Sequence, residues 1–332
     1  MRFLFPAIGL LLFLGLASAR EVGFRQLQVP DPPGKPLVAG IWYPSAGQPA
    51  PLPLGPFQQD VVLDAPLAGA HLPVIFFSHG TAGSLASHYD TAIALAQAGF
   101  AVVAFTHTGD NGQDQTYTGN RINLIERPRQ LERVIRFVLN DWNDHSHIDP
   151  EKVGVFGFSL GGFTVLVESG GIPDLGRMKQ LCGERPAAPE CDFIRQRHGD
   201  MLAPPGDAPV WVHDAKIHAA VVAAPAVGYL FGGPGGLSQV KIPVQLWRAA
   251  ADQNAPDAWN SAVVTAGLPA RPDLHVVPNA NHYSFLPPCT DTLRQFVAFI
   301  CADEPGFDRS AFHKQFNREV VAFFERALHI AR

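Results

Sequence analysis

The chain has 332 residues, of which 47% are hydrophobic and 17% are charged, a composition typical of a globular protein. Its formal net charge is −5, so it lacks the excess of positive charge that nucleic-acid binding requires. The length is compatible with one large α/β domain, and the sequence contains no internal repeat and no second domain boundary.

Residues 1–19 have the layout of a cleavable secretory signal. Arg2 precedes an apolar run of about 15 residues, and small residues follow it at Ala17, Ser18 and Ala19. The run is shorter than the roughly 20 residues that span a bilayer, which favours a signal over a membrane anchor. We therefore predict a secreted or periplasmic protein with no stable membrane span.

Short apolar runs bounded by proline and glycine predict the strands of the mature chain. Residues 23–29 and 37–44 are expected to be antiparallel strands. Six later runs are almost continuously apolar, as parallel strands buried on both faces should be. These are residues 72–78, 100–106, 152–158, 218–224, 244–249 and 274–278.

Helical segments alternate with these strands. Pro128 is expected in the first turn of a helix, since proline is favoured there. The apolar face of that helix has Leu131, Val134, Ile135, Val138, Leu139 and Trp142 at helical spacing. A last helix has Phe312, Phe316, Val320, Phe323 and Phe324 on one face. This order predicts an α/β fold with a mostly parallel sheet and helices on both faces.

Three segments lack a regular pattern: residues 107–126, 168–215 and 227–236. Ligands of open parallel sheets bind beyond the carboxyl ends of the strands, and each segment follows a strand or a strand and its helix. We interpret these segments as pocket walls within a single domain of residues 20–332, with the main insertion at about 168–215.

Four cysteines follow the signal, and an exported protein can form disulfides. Proximity along the chain favours Cys182 with Cys191 and Cys289 with Cys301. Buried free thiols are the alternative, and the spacing does not match a zinc site.

A serine lies between glycines at the end of one predicted strand. Gly157, Ser159 and Gly161 form a G-x-S-x-G sequence between a buried strand and a helix start, the context of a nucleophile elbow. The alternative is a tight turn without chemistry. The strand-to-helix context favours Ser159 as a nucleophile.

A serine nucleophile needs a base and an orienting acid, in the chain order Ser, Asp, His for this type of turn. Asp252 and His282 each follow a predicted strand and are the predicted acid and base. Asp257 is a competing acid, and His275 is a competing base that lies inside a strand.

The oxyanion of an acyl-transfer intermediate needs backbone donors, one after the serine and one after an early strand. Leu160 and Thr81 are the predicted N–H donors, and Gly80 would permit close backbone approach. His79 is expected to form structural hydrogen bonds rather than to act as a base.

Other polar clusters are weaker candidates. His145 and His147 lack a set of further metal ligands nearby in the sequence, and Asp110 and Asp114 do not match a calcium loop and are expected to solvate a loop instead. We predict no metal and no cofactor.

Taken with their order, several motifs are similar to those of the α/β-hydrolase superfamily. These are FFSHG, FAVVAFTHTG, ERPRQL, VGVFGFSLGG, Asp252 and NANHYSF. The chain most resembles secreted dienelactone-hydrolase-like proteins related to platelet-activating-factor acetylhydrolases. It departs from dienelactone hydrolases, which use a cysteine where this chain has Ser159, and from the acetylhydrolases, which commonly have histidine where this chain has Phe158.

The resemblance implies a secreted serine hydrolase that cleaves carboxylic esters with a short acyl chain through an acyl-enzyme. The expected partner is a small-molecule ester or a lipid. Three alternatives remain: a lipase or cutinase-like polyester hydrolase, a peptidase on the same three residues, and a binding module that has lost catalysis.

Overall fold

A computed structural model describes residues 21–197, 199–203 and 209–330. The predicted secretory signal, residues 1–19, lies outside the described residues. No helix within the described ranges combines the length and the apolar character needed to cross a bilayer.

Ten strands of the described residues form one sheet. They are β1 (Glu21–Val29), β2 (Leu37–Ser45), β3 (Ala50–Leu54), β4 (Phe57–Leu63), β5 (Leu72–Ser78), β6 (Ala101–Phe105), β7 (Ile148–Phe158), β8 (Ile217–Ala223), β9 (Val244–Ala249) and β10 (Asp273–Val277). Their order is β10-β9-β8-β7-β5-β6-β2-β1-β4-β3, and strands β5 to β10 run parallel to one another. Strand β2 is antiparallel to both β1 and β6. The predicted α/β class is confirmed.

Every predicted strand is present, but the hairpin of β3 and β4 was not predicted. Strand β3 contains Pro51 and Pro53, and proline cannot donate a hydrogen bond to a neighbouring strand. The structure accommodates both prolines because β3 is at the edge of the sheet and pairs only with β4. The prolines of β3 and the polar residues 58–60 of β4 interrupt the apolar pattern, so the sequence does not reveal this hairpin.

Helices cover both faces of the sheet, as predicted. They are α1 (Tyr89–Gln97), α2 (Arg121–Asn140), α3 (Leu160–Glu168), α4 (Gly176–Glu184), α5 (Pro189–Arg197), α6 (Ser261–Gly267), α7 (Asp291–Phe296), α8 (Ala298–Cys301) and α9 (Arg309–Ala327). One apolar cluster joins α2 and α3 to the sheet face of Val74 and Phe76. The other joins α1 and α9 to the opposite face, where Ile75 and Phe77 lie. The alternation follows from the two-residue period of a strand.

The predicted buried faces of α2 and α9 are buried, but the expectation that Pro128 lies in the first turn of α2 was wrong. The helix begins at Arg121, seven residues earlier, and its buried side already includes Leu124. Pro128 therefore lies in the helix interior, where its missing N–H leaves the Leu124 carbonyl without its usual helical donor. Packing of the earlier turn outweighs this loss.

Both predicted disulfides are present. The Cα atoms of Cys182 and Cys191 are 5.6 Å apart, and those of Cys289 and Cys301 are 5.7 Å apart. The first bond links α4 to α5 inside the predicted insertion, which therefore has helical structure of its own. The second closes the segment of α7 and α8.

Candidate active site

The site is built around a tight turn between β7 and α3, with Ser159 at its apex. Ser159 has φ 54° and ψ −119°. A positive φ of this kind is energetically unfavourable for a residue with a side chain. Its amide donates to the Ala223 carbonyl at 2.9 Å, and its carbonyl accepts from the Ala226 amide at 3.1 Å. These bonds to the end of β8 and the following loop hold the strained turn.

Glycines flank this turn because there is no room for a Cβ atom. A Cβ on Gly157 would overlap the Gly161 carbonyl, and a Cβ on Gly161 would overlap the Ser78 carbonyl at the end of β5. Strand, turn and helix can approach this closely only with glycine at both positions. The turn has the local form of the predicted nucleophile elbow.

A continuous chain of hydrogen bonds joins three of the predicted site residues. The Nε2 atom of His282 is 2.9 Å from Ser159 Oγ, and its Nδ1 atom is 2.7 Å from Asp252 Oδ2. The side chains of His282 and Asp252 are each 5% exposed, and Ser159 is 8% exposed. The arrangement lies at the carboxyl edge of the sheet, since the residues follow β7, β9 and β10.

The loop after β9 fixes the Asp252 carboxylate. Its Oδ1 atom accepts from the backbone amides of Asn254 at 3.0 Å and Ala255 at 2.8 Å, which leaves Oδ2 for the imidazole. The competing acid, Asp257, instead forms an ion pair with Arg248. The structure brings Asp252, not Asp257, to His282.

The competing base, His275, has partners other than Ser159. His275 lies in β10, where it stacks on Trp247 with ring centroids 3.9 Å apart and pairs with Asp273 at 3.2 Å. The structure brings His282, not His275, to Ser159.

The two predicted oxyanion donors flank the serine. Among the described residues, neither the Leu160 amide nor the Thr81 amide has a hydrogen-bond acceptor within the protein. A Cβ on Gly80 would be 3.1 Å from Ser159 Cβ, so the loop after β5 passes directly beside Ser159. Two amides without an acceptor in the described part of the chain, those of Leu160 and Thr81, therefore lie in the turn and in the loop next to Ser159.

His79 forms hydrogen bonds inside the protein, in agreement with its predicted structural role. Its Nδ1 atom is 2.6 Å from the Gly80 carbonyl, and its Nε2 atom accepts from the His107 amide at 3.0 Å. Burial, together with the nearby charge of Arg127, lowers the pKa of His79 to about 3. The imidazole is therefore neutral across the physiological range.

The expectation that Asp110 solvates a loop was wrong. Asp110 is completely buried and forms an ion pair with Arg127, at 2.7 Å between Oδ2 and Nη1. Burial by itself would raise the pKa of Asp110, but Arg127 and the hydrogen bonds of Asn123 and Thr118 outweigh it and lower the pKa. Asp114 does accept hydrogen bonds within its own loop, from the amide and hydroxyl of Thr116.

The candidate metal ligands His145 and His147 each bond to a backbone carbonyl through Nδ1, to Trp142 and Gly69 respectively. No group of three or more His, Cys, Asp or Glu side chains in the described part of the chain is arranged to hold a metal ion.

The insertion and the segment after β8 contact the loops that carry the site residues. Within the insertion, Glu190 of α5 accepts hydrogen bonds from Trp259 and Asn260, both at 2.8 Å, so α5 packs on the loop that carries Asp252. The segment after β8 contacts the serine backbone through Ala226. On the other side, the Tyr283 ring lies between the rings of His282 and Phe299, with centroid distances of 5.4 and 5.5 Å. Phe299 is 64% exposed, so Tyr283 and Phe299 form an aromatic rim at the surface beside His282.

Sequence reasoning overlooked the buried polar side of α2. Asn123, Arg127 and Gln130 are all buried and hydrogen-bonded to residues at the ends of β5 and β6 or in the loop after β6. Their spacing of four and three residues puts them on one helical face next to the apolar stripe. That spacing is the signal that could have revealed the network.

No family model matches the sequence, and no curated protein matches it. Among solved structures, the chain is similar to a ferulic acid esterase from Streptomyces cinnamoneus, with 16% sequence identity and a TM-score of 0.60. The match covers 94% of this chain and 92% of the esterase chain. At this identity the likeness establishes the shared fold.

Proposed function

We propose that the chain is a secreted serine hydrolase that cleaves carboxylic esters through Ser159, His282 and Asp252. The observation that carries the proposal is the hydrogen-bonded chain from Ser159 Oγ through His282 to Asp252, located at a strained turn beside two free amides. The fold shared with a ferulic acid esterase supports it. Secretion is supported by residues 1–19 and by two disulfides, which are typical of oxidising compartments.

The geometry suits an acyl-enzyme mechanism. His282 Nε2 takes the Ser159 proton as Oγ attacks the ester carbonyl, and the same nitrogen then returns that proton to the leaving alcohol. Asp252 accepts from His282 Nδ1–H, which keeps Nε2 available as the base and stabilises the imidazolium that forms. The amides of Leu160 and Thr81 donate to the carbonyl oxygen as it becomes negative. Water activated by His282 releases the acid in the second half of the reaction.

We expect Ser159→Ala to lower kcat on the order of a million-fold and Asp252→Asn roughly ten-thousand-fold, because each removes an indispensable part of the triad. Asp257→Asn is the matched control, since it changes a carboxylate of the same loop that pairs with Arg248 instead. The measurements are hydrolysis of p-nitrophenyl acetate and labelling by a fluorophosphonate. Wild-type turnover in the Ser159→Ala protein would refute the proposal, and a larger loss in Asp257→Asn than in Asp252→Asn would reassign the acid.

The substrate is proposed to carry a short acyl chain. The low exposure of Ser159 and the packing of the insertion on the loop that carries Asp252 favour a compact site over an open groove. Rates on p-nitrophenyl acetate, butyrate, octanoate and palmitate test the chain length, and a matched anilide tests amide cleavage. Methyl ferulate belongs in the panel because of the structural neighbour and the aromatic rim. A maximum at palmitate, or a faster anilide than ester, would replace this substrate with a lipid or a peptide.

A further inference from the structure

The loop His79–Ala82, which passes beside Ser159, is held at three of its polar backbone atoms. The His79 carbonyl accepts from Arg127 Nη2. The Gly80 carbonyl is 2.6 Å from His79 Nδ1, and it also accepts from the Gly83 amide at 3.1 Å. The Ala82 amide donates to Asp110 Oδ1 at 3.2 Å. The Thr81 amide, between these fixed points, has no hydrogen-bond acceptor among the described residues.

The planar peptide bond links these two facts. In a trans peptide the carbonyl and the N–H of the same unit point in opposite directions. The Gly80 carbonyl and the Thr81 N–H belong to one peptide unit, so a bond that fixes the carbonyl also fixes the direction of the N–H. The His79 side chain, together with the Gly83 amide, thus fixes the orientation of the proposed oxyanion donor.

The tautomer of His79 is set by the backbone. The His107 amide donates to Nε2, so Nε2 cannot carry a hydrogen, and the ring hydrogen is on Nδ1. Nδ1 must then donate to the Gly80 carbonyl. The side chain is 3% exposed and its pKa is lowered to about 3, so neither solvent nor ordinary changes of pH disturb this donor.

The Arg127–Asp110 pair acts on both ends of the same loop. Arg127 donates to the His79 carbonyl and to Asp110 Oδ2, while Asp110 Oδ1 accepts from Ala82. Arg127 is 1% exposed and is anchored in α2. A buried, hydrogen-bonded ion pair is a rigid brace because it has no water to exchange with.

We propose that His79, Arg127 and Asp110 are positioning residues that aim the Thr81 N–H at the oxygen that becomes negative during ester cleavage. The proposal rests on the proposed ester hydrolase function. It assigns these residues to the reaction although none of them contacts Ser159 Oγ or His282.

Three replacements of His79 test it. Asparagine places a polar N–H near the position of Nδ1 and can still donate to the Gly80 carbonyl, whereas glutamine places its amide near Nε2 and retains only the contact with His107. Leucine removes both contacts at similar volume. We expect kcat on p-nitrophenyl acetate to fall on the order of 100-fold in His79→Gln and His79→Leu, with KM nearly unchanged, as for loss of an oxyanion donor. We expect His79→Asn to stay within about fivefold of wild type.

Binding of phenylboronic acid is the second measurement, because its tetrahedral adduct on Ser159 presents an oxygen to the same donors. Its inhibition constant should rise in parallel with the fall in kcat across the three variants, while thermal unfolding monitors the fold. Equal losses of kcat in His79→Asn and His79→Gln that follow the losses of stability would overturn the proposal, and so would unchanged boronate binding in His79→Gln. Failure of the proposed function itself would be separate: Ser159→Ala would then hydrolyse the ester like the wild type.

Discussion

Asp110 and Glu168 are both completely buried, yet their surroundings give them opposite protonation behaviour. Asp110 accepts hydrogen bonds from Ala82, Thr118, Asn123 and Arg127, and these partners hold its pKa below the ordinary value despite its burial. Among the described residues, neither oxygen of Glu168 has a hydrogen-bond partner. Burial, with smaller contributions from nearby carboxylates, therefore raises its pKa well above the ordinary value.

The difference shows that partners, not burial, decide whether a buried carboxylate can carry charge. The charged one braces the loop beside Ser159. The neutral one is at the root of the insertion, where the Asp214 amide bonds to the Glu168 carbonyl and His213 Nδ1 bonds to the Val167 carbonyl. At the insertion, backbone hydrogen bonds and the Cys182–Cys191 bond hold the chain, without a charge on Glu168.

Among the changes that test this comparison, removing the charge of Asp110 should lower the unfolding free energy the most. Asp110→Asn leaves Arg127 buried without an ionic partner, and breaking a buried pair in this way costs about 3–5 kcal/mol of unfolding free energy. Urea denaturation followed by circular dichroism measures this cost. Because the brace of the His79–Ala82 loop is lost as well, kcat on p-nitrophenyl acetate should fall in the fraction that remains folded.

The double variant Asp110→Asn with Arg127→Met separates stability from positioning. Replacing both members of a buried pair by uncharged groups is often close to neutral for stability, so the double variant should regain much of the unfolding free energy. It should not regain kcat, because Arg127→Met removes the donor to the His79 carbonyl. Recovery of kcat together with stability would mean that the pair serves the fold alone.

Much of this architecture follows from the sequence. Strands β5 to β8 are buried on both faces and therefore appear as continuous apolar runs, and the turn at Ser159 is marked by glycines that have no room for a side chain. Each site residue follows a parallel strand, so the sequence alone predicts that these residues lie at one edge of the sheet. Asp252 and His282 were identifiable on that basis.

The partners of buried polar groups could not be predicted in the same way. Asp110 is separated from Arg127 by 17 residues and from Ala82 by 28, and nothing in the local pattern distinguishes a loop carboxylate in water from one that accepts four hydrogen bonds. Pro128 added to the difficulty, since it suggested a helix start after the turn that contains Asn123. The choice among possible partners is made by tertiary packing.

Removing the Cys182–Cys191 bond should have a smaller effect, and it should act on the insertion rather than on the loop beside Ser159. Closing a loop of this size lowers the conformational entropy of the unfolded chain and so stabilises the native state by about 2–3 kcal/mol. The variant Cys182→Ser with Cys191→Ser should therefore lose that much unfolding free energy. Because Glu190 of the insertion accepts hydrogen bonds from Trp259 and Asn260 rather than from the backbone around Asp252, we expect kcat to change little.

The paired serine variant of Cys289 and Cys301 is the matched control, since it opens a loop of similar size next to the His282 turn. Urea denaturation and the acetate assay are applied to both variants. A fall in kcat for the Cys182 and Cys191 variant as large as that of Asp110→Asn would contradict the division of roles between the two regions.

Near pH 5 the smallest effect on stability is expected for Glu168→Gln, and this effect should grow with pH. The native state keeps Glu168 protonated to a higher pH than the unfolded chain, whose carboxyl titrates near 4.3, so the native state binds more protons in the window above that value. The free energy of unfolding of the wild type therefore declines as the pH rises through the window, by up to about 1.4 kcal/mol per pH unit from this group. Glutamine does not titrate, so the stability of Glu168→Gln relative to wild type should increase with pH from about 4.3 upward. Urea titrations of both proteins between pH 4 and 7 measure the slope, which is independent of any constant cost of the amide. Parallel pH profiles would mean that Glu168 is ionised in the native protein and that its carboxylate has a charge partner after all.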